Sequence, residues 1–219
     1  MKLSILLAIP RSFIINTLLF GLGGVRLPLL ISNSVKCKGL KRGRIKIAEI
    51  RKNRILIGFG GTEGICENKN GYFIIGNEGF VEFNGEAFFG AGVSIRCDYG
   101  TLRFGKNFWC NKNCFFSCSE GICFGDDVLL GWNVNVRDAD GHNICYREFQ
   151  ENPAIKNNMC TIGEHVWIAS YVDVLKGVNI PDGSVIAYRS CVTKAFNEKG
   201  SLIAGYPAKI IRDNIEWKR

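Results

Sequence analysis

The chain has 219 residues, of which 47% are hydrophobic and 22% charged, with 26 glycines. This balance excludes a disordered or collagen-like polymer and leaves one or two folded domains. The net charge of +8 is lopsided, because residues 1–54 hold twelve Lys or Arg against Glu49 alone while the remainder is slightly acidic. A basic end without interleaved exposed aromatics argues against a nucleic-acid partner and for contact with an anionic membrane surface.

In chain order, the segment 1–54 opens with two apolar runs, Leu3 to Ile9 and Ser12 to Val25. Pro10 and Arg11 separate them, and Arg26 and Pro28 close the second, so neither reaches the ~18–20 apolar residues a bilayer span needs. Lys2 followed by Leu3 to Ile9 imitates a short export signal, yet no small-residue cleavage site follows. The segment is expected to lie on a membrane surface or to pack on the fold, with an uncleaved anchor and a simple hydrophobic cap as the alternatives. The protein is expected to be cytoplasmic, with peripheral contact at the inner face of the plasma membrane.

Short β-like runs follow at 44–50, 54–58, 72–75 and 80–83. A six-residue order then appears at Phe83, Phe89 and Ile95, slips by three residues to Phe104, Cys110 and Phe116, and slips by two to Phe124, Leu130 and Val136. From Ile162 it runs unbroken through Ile168, Val174, Ile180 and Ile186 to Val192, with Val166, Val172, Val178, Ser184 and Ser190 four residues after each anchor. That spacing fits neither a helix nor one strand's alternation; it marks a parallel β-helix in which three hexapeptides make one coil. The coil is assigned to 55–200. The anchors absorb most of the 15 phenylalanines, so a Phe-lined ligand pocket is not required.

Among ten cysteines, Cys110 is on the inward row and Cys114 four residues later, which reads as small apolar filling. Cys110, Cys114, Cys118 and Cys123 lack the paired spacing of a zinc site, and no metal is expected. The repeat stops at Val136 and resumes at Ile162; the loop 137–161 between them holds Asp138, Asp140, Gly141 and His142. A long loop ejected from a compact repeat is more often functional than accidental. In the tail, 201–219, Pro207 is expected to open a C-terminal helix with Ile210, Ile211, Asn214 and Ile215 on one face.

The stretch Ile162-Gly163-Glu164-His165-Val166-Trp167-Ile168-Ala169, with Val174-Leu175-Lys176-Gly177-Val178, Ile186-Ala187 and Ile203-Ala204-Gly205-Tyr206-Pro207-Ala208-Lys209-Ile210-Ile211-Arg212, resembles the hexapeptide-repeat acyltransferases, in particular the branch that acetylates sugars and polysaccharides. The resemblance implies a left-handed parallel β-helix, acetyl-CoA as co-substrate, and a homotrimer with each active site between two subunits. Asp138-Ala139-Asp140-Gly141-His142 is similar to the family's Asp-x-Asp-x-His segment, which makes His142 the candidate general base and Asp140 or Asp138 its orienting carboxylate. Ala169 and Ala187 match small positions at which backbone amides meet the pantetheine arm. Lys209 and Arg212 match the basic motif near the donor's phosphates. Tyr188 and Arg189 depart from the family, where a small pair is usual.

The function expected from this resemblance is O-acetylation of a sugar hydroxyl in a surface polysaccharide or its lipid-linked precursor. N-acetylation of an amino sugar nucleotide, acetylation of a small alcohol such as serine, and a non-enzymatic β-helix scaffold are the alternatives. A zinc hydratase on the same coil would need about three histidine ligands, and the chain has 2 histidines.

Overall fold

Inward apolar anchors at hexapeptide spacing force the chain to turn after every short strand, and the result is a three-sided prism. The structure, a computed structural model, describes residues 2–50, 54–63, 70–142 and 159–219. One face stacks Leu29–Ile31, Ile55–Ile57, Ala87–Phe89, Phe108–Cys110, Leu129–Leu130, Trp167–Ile168, Val185–Ile186 and Leu202–Gly205 in parallel. The second stacks Val35–Lys38, Gly71–Ile75, Ser94–Cys97, Phe115–Cys118, Asn135–Arg137, Asp173–Val174 and Cys191–Val192. The third stacks Ile45–Ile47, Phe80–Phe83, Thr101–Phe104, Gly121–Phe124, Cys160–Ile162 and Asn179–Ile180. The coil therefore begins at Leu29, inside the segment that the sequence reading assigns to an N-terminal domain ending at 54.

Register puts like on like. Ile57, Phe89, Cys110, Leu130, Ile168, Ile186 and Ile203 lie in one column, and Phe73, Ile95, Phe116, Val136, Val174 and Val192 in another; every one is buried. The third column stacks Phe83, Phe104 and Phe124 with ring centroids 5.4 Å apart at each step, nearly parallel at 12° and 3°. Aromatic anchors make the middle coils wide, and their rings meet those of the other faces edge to face, as Phe89 does with Phe104 at 4.9 Å. Cys110, Cys114, Cys118 and Cys160 fill the same interior as free thiols, and burial pushes the Cys160 thiol up to about 11.

The N-terminus corrects the sequence reading. The two apolar runs form one helix, α1 (Lys2–Phe20), that passes through Pro10 without a break and continues as a tight 3-10 turn over Gly21–Arg26. By length and composition Leu3–Arg26 could cross a membrane. One stripe of α1, Ala8, Ser12, Asn16 and Leu19, is buried against the first coil. Asn16 Nδ2 donates to the Leu29 carbonyl at 2.6 Å while its Oδ1 accepts the Leu29 N–H at 3.1 Å, and Ser12 Oγ accepts the Ile31 N–H at 3.0 Å. The helix thus closes the ladder that the edge strand Leu29–Ile31 would otherwise leave open. Its opposite side, including Leu3, Leu6, Ile14 and Leu18, is exposed.

The expected C-terminal helix is absent. Leu202–Gly205 extends the first face, turns at Tyr206 and Pro207, and pairs antiparallel with Ala208–Arg212. An open sheet edge offers each of these residues a ladder partner, whereas a helix this short is marginal by itself. The chain then returns to the edge between the third and first faces, where the Trp217 indole N–H donates to the His165 carbonyl at 2.8 Å.

Candidate active site

The interruption of the repeat falls on the edge between the second and third faces, the same edge that absorbs both slips. Asp138 follows the strand Asn135–Arg137 and is fully buried. Its two carboxylate oxygens accept the backbone N–H groups of Ser119, Glu120 and Gly121 at 2.8, 2.8 and 2.7 Å. These three donors belong to the widened corner of the coil below, so Asp138 ties the start of the loop to that corner. Asp140 is exposed and paired with the ammonium of Lys176, one coil further on. The carboxylates expected to orient the histidine thus have other partners: one holds the corner and one holds the next coil.

Just beyond these two anchors the chain brings His142 to the surface. A cleft of about 500 Å³ is lined by His142, Gly141 and Ala139 on one side and by Tyr99, Gly100, Ser119 and Glu120 on the other. Gly141 is left-handed, with φ 80°, which lets the backbone turn sharply just before the imidazole. The part of the loop beyond His142, up to 158, lies outside the described residues.

The small-residue positions lie elsewhere. Ala169 and Ala187 sit at the edge between the first and second faces and line a groove of about 480 Å³ with Trp132, Trp167, Ser170 and Tyr188. Their own N–H groups are engaged in the coil, Ala169 donating to the Ile186 carbonyl and Ala187 to the Ile203 carbonyl, each at 2.9 Å. Their contribution to the groove is therefore absence of bulk. Ser170 is buried, and its hydroxyl accepts the Trp132 N–H at 3.1 Å. Tyr188 and Arg189 do not block the groove. The Tyr188 ring meets Tyr171 edge-on at 5.6 Å, and the Arg189 guanidinium lies 5.6 Å from both rings. Lys209 and Arg212 are exposed on the outermost strand of the first face, paired in register with Ala204 and Leu202.

One chain consequently brings Asp138, Asp140 and His142 together on one edge of the prism and Ala169 and Ala187 together on another, with Lys209 opposite Ala204 and Arg212 opposite Leu202 at the other end of the outermost strand. Tyr99, Glu120 and Lys176 complete the first group. The sequence reading passes over them, although the slips after Ile95 and Phe116 mark the corners that carry Tyr99 and Glu120. Among the described residues no cluster of His, Cys, Asp and Glu could hold a metal ion.

No family model matches the chain. Galactoside O-acetyltransferase of Escherichia coli (strain K12) is 35% identical over 116 residues, 52% of this chain and 56% of that protein. The chain thus spans little more than half the length of that relative. A protein of the same strain named as a lipopolysaccharide biosynthesis O-acetyl transferase, WbbJ, is 32% identical over 148 residues, 63% of this chain and 74% of that protein. The crystal structure of the polySia specific acetyltransferase NeuO covers 87% of this chain and 82% of its own at a TM-score of 0.63 and 21% identity, a likeness of fold. Hexapeptide columns closed into a three-sided, left-handed parallel β-helix, with a 32% identical relative matched over most of its length, show that the chain belongs to the hexapeptide-repeat acetyltransferase family.

Proposed function

We propose that the protein is a coenzyme-A-dependent O-acetyltransferase acting on a sugar hydroxyl of a surface polysaccharide or its lipid-linked precursor. The observation that carries this reading is His142, exposed at the rim of a cleft built where the repeat is interrupted, at the end of a stretch that Asp138 and Asp140 tie to the coil. Acetyl-CoA, when bound, supplies the acetyl group as an activated thioester. His142 takes the proton of the acceptor hydroxyl as its oxygen bonds to the acyl carbon, and returns that proton to the departing thiolate as the carbon–sulfur bond breaks. No covalent enzyme intermediate is required, and holding both substrates in line supplies much of the acceleration.

In this reading the groove beside Ala169 and Ala187 takes the pantetheine arm, which the small side chains leave room for, and Lys209 and Arg212 face the donor's phosphates. The separation of this groove from His142 by a full face of the prism supports a homotrimer, in which the groove of one subunit meets the histidine of the next. Asp138 and Asp140 act as positioning residues that fix the backbone leading into the turn that bears the imidazole. Names of relatives that acetylate galactosides and lipopolysaccharide support a sugar acceptor.

His142→Ala is expected to fold as the parent does and to lower acetyl transfer at least ~10² fold. Turnover near the parent's rate, measured as thiol release with a sugar acceptor, would remove His142 from the mechanism.

A further inference from the structure

The edge that carries His142 does more than interrupt the repeat. Below the His142 cleft, on the same edge, a second cleft of about 590 Å³ is lined by Lys38, Lys41 and Arg44 from the first coil and by Arg96, Asp98 and Tyr99 from the third. Tyr99 lines both clefts and is 55% exposed, so one aromatic side chain joins them. Four cations face this space. The carboxylate lining it, Asp98, is bonded to Arg96 at 2.6 Å. Gly39 and Gly100, on the two clefts, sit where successive coils pass too closely for a side chain: a Cβ added to Gly39 would come within 1.9 Å of the Ile75 carbonyl oxygen, and one added to Gly100 within 1.9 Å of that of Glu120. From the coil of Lys38 to that of His142 there are four inter-coil steps of ~4.8 Å, about 19 Å of edge. That is room for several sugar rings rather than one.

We infer that this edge is an extended acceptor cleft, and that it takes an acidic saccharide chain whose anionic groups, carboxylate or phosphate, lie along Lys38, Lys41, Arg44 and Arg96 while the hydroxyl to be acetylated reaches His142. The inference rests on the reading of His142 as the base, and it adds the class of acceptor. A neutral glycan could fill the shape and accept hydrogen bonds, but it would gain no charge–charge attraction from these cations. A chain of repeated anions matches both their sign and their spread over more than one coil. Arg44 can present a planar fork to such an anion, Lys38 and Lys41 act as mobile point charges, and Arg96, paired with Asp98, leaves the lining a net excess of three positive charges. Tyr99, between the cations and the imidazole, offers an apolar ring face against which a sugar can lie.

Binding in the absence of any acetyl donor tests this separately from the chemistry. The probes are fluorescently labelled octamers of galacturonic acid, of a phosphodiester-linked saccharide, and of neutral galactose, with a galacturonic acid dimer as length control. One acidic octamer or both should bind about tenfold more tightly than the neutral one, and the tightness should decline as salt is raised. Lys38→Gln combined with Lys41→Gln, both at exposed positions, should weaken the acidic octamer about fivefold and leave the neutral one unchanged. Which acidic chain binds identifies the anion. Equal binding of acidic and neutral octamers, no loss in the double variant, or a dimer that binds as well as the octamer would each overturn the inference. His142→Ala should keep acidic binding while losing turnover; if it keeps both, the base is misassigned although the cleft stands.

Discussion

His165 lies on the edge between the third and first faces, where side-chain hydrogen bonds tie successive coils together. It occupies a left-handed corner at φ 51°, above Asp127 at 57° and Asn107 at 55° on successive coils. Asn, Asp and His are the side chains most often found in this region, which still costs an L-residue roughly 1–2 kcal/mol. Hydrogen bonds offset that cost here: Asn107 Nδ2 donates to Asp127 Oδ1 at 2.7 Å, and His165 Nδ1 bonds Asp127 Oδ2 at 2.5 Å. Trp217 stacks on the imidazole at 4.2 Å, and its carbonyl meets Nε2 at 3.1 Å, while Arg219 lies 3.5 Å from Asp127. The bond to Asp127 raises the His165 pKa, against desolvation and the Arg219 charge. A raised folded-state pKa contributes stability that is fully present below the ordinary histidine value of ~6.5 and is lost as pH rises through the folded value. The thermal midpoint of the parent should therefore fall across that window by more than that of Asp127→Asn. Parallel curves for the two proteins would show that the corner ladder does not depend on the imidazole's charge.

At the scale of an element, α1 shows where the sequence is legible and where it is not. The coil columns can be read from hexapeptide spacing because burial of one residue in six is a strong, local and periodic constraint. Pro10 reads as a break because, within a helix, it removes one hydrogen bond at a cost of ~3 kcal/mol or more. Tertiary docking overrides that penalty, and docking leaves no apolar stripe to read: the buried face runs through the polar Ser12 and Asn16, whose value depends on meeting a strand thirteen or more residues away. The same limit hides the role of Asp138, whose three donors lie on another coil, so a motif that names the right loop does not say which partner each carboxylate takes. The C-terminal hairpin was illegible for a related reason, since the open edge it pairs with exists only once the coil has formed. Asn16→Ala would leave both polar groups of Leu29 buried under the helix without a partner. A loss of ~2–4 kcal/mol in unfolding free energy is expected. A denaturant midpoint indistinguishable from the parent's would mean that the helix does not cap the first coil.

For the whole molecule, the decisive fact is that the two halves of the proposed site sit on different edges of one prism. A coil stacked through buried columns is rigid across its section. A hinge inside the chain therefore offers no route for His142 to reach the groove at Ala169 and Ala187. Association does, provided the edges of neighbouring subunits face each other around a closed ring. The consequence can be tested by mixing two variants that fail for different reasons. His142→Ala retains the groove, and Ala187→Trp fills the groove but retains the imidazole; each alone should be inactive. When both are expressed together and assemble at random, a site with an intact histidine from one subunit and an intact groove from its neighbour arises in about a quarter of the interfaces. Activity restored to about that fraction of the parent's is expected, with a trimeric mass by sedimentation. If each site were built within a single chain, no mixture of these two variants could restore activity at all, so an inactive mixed assembly would exclude the shared site.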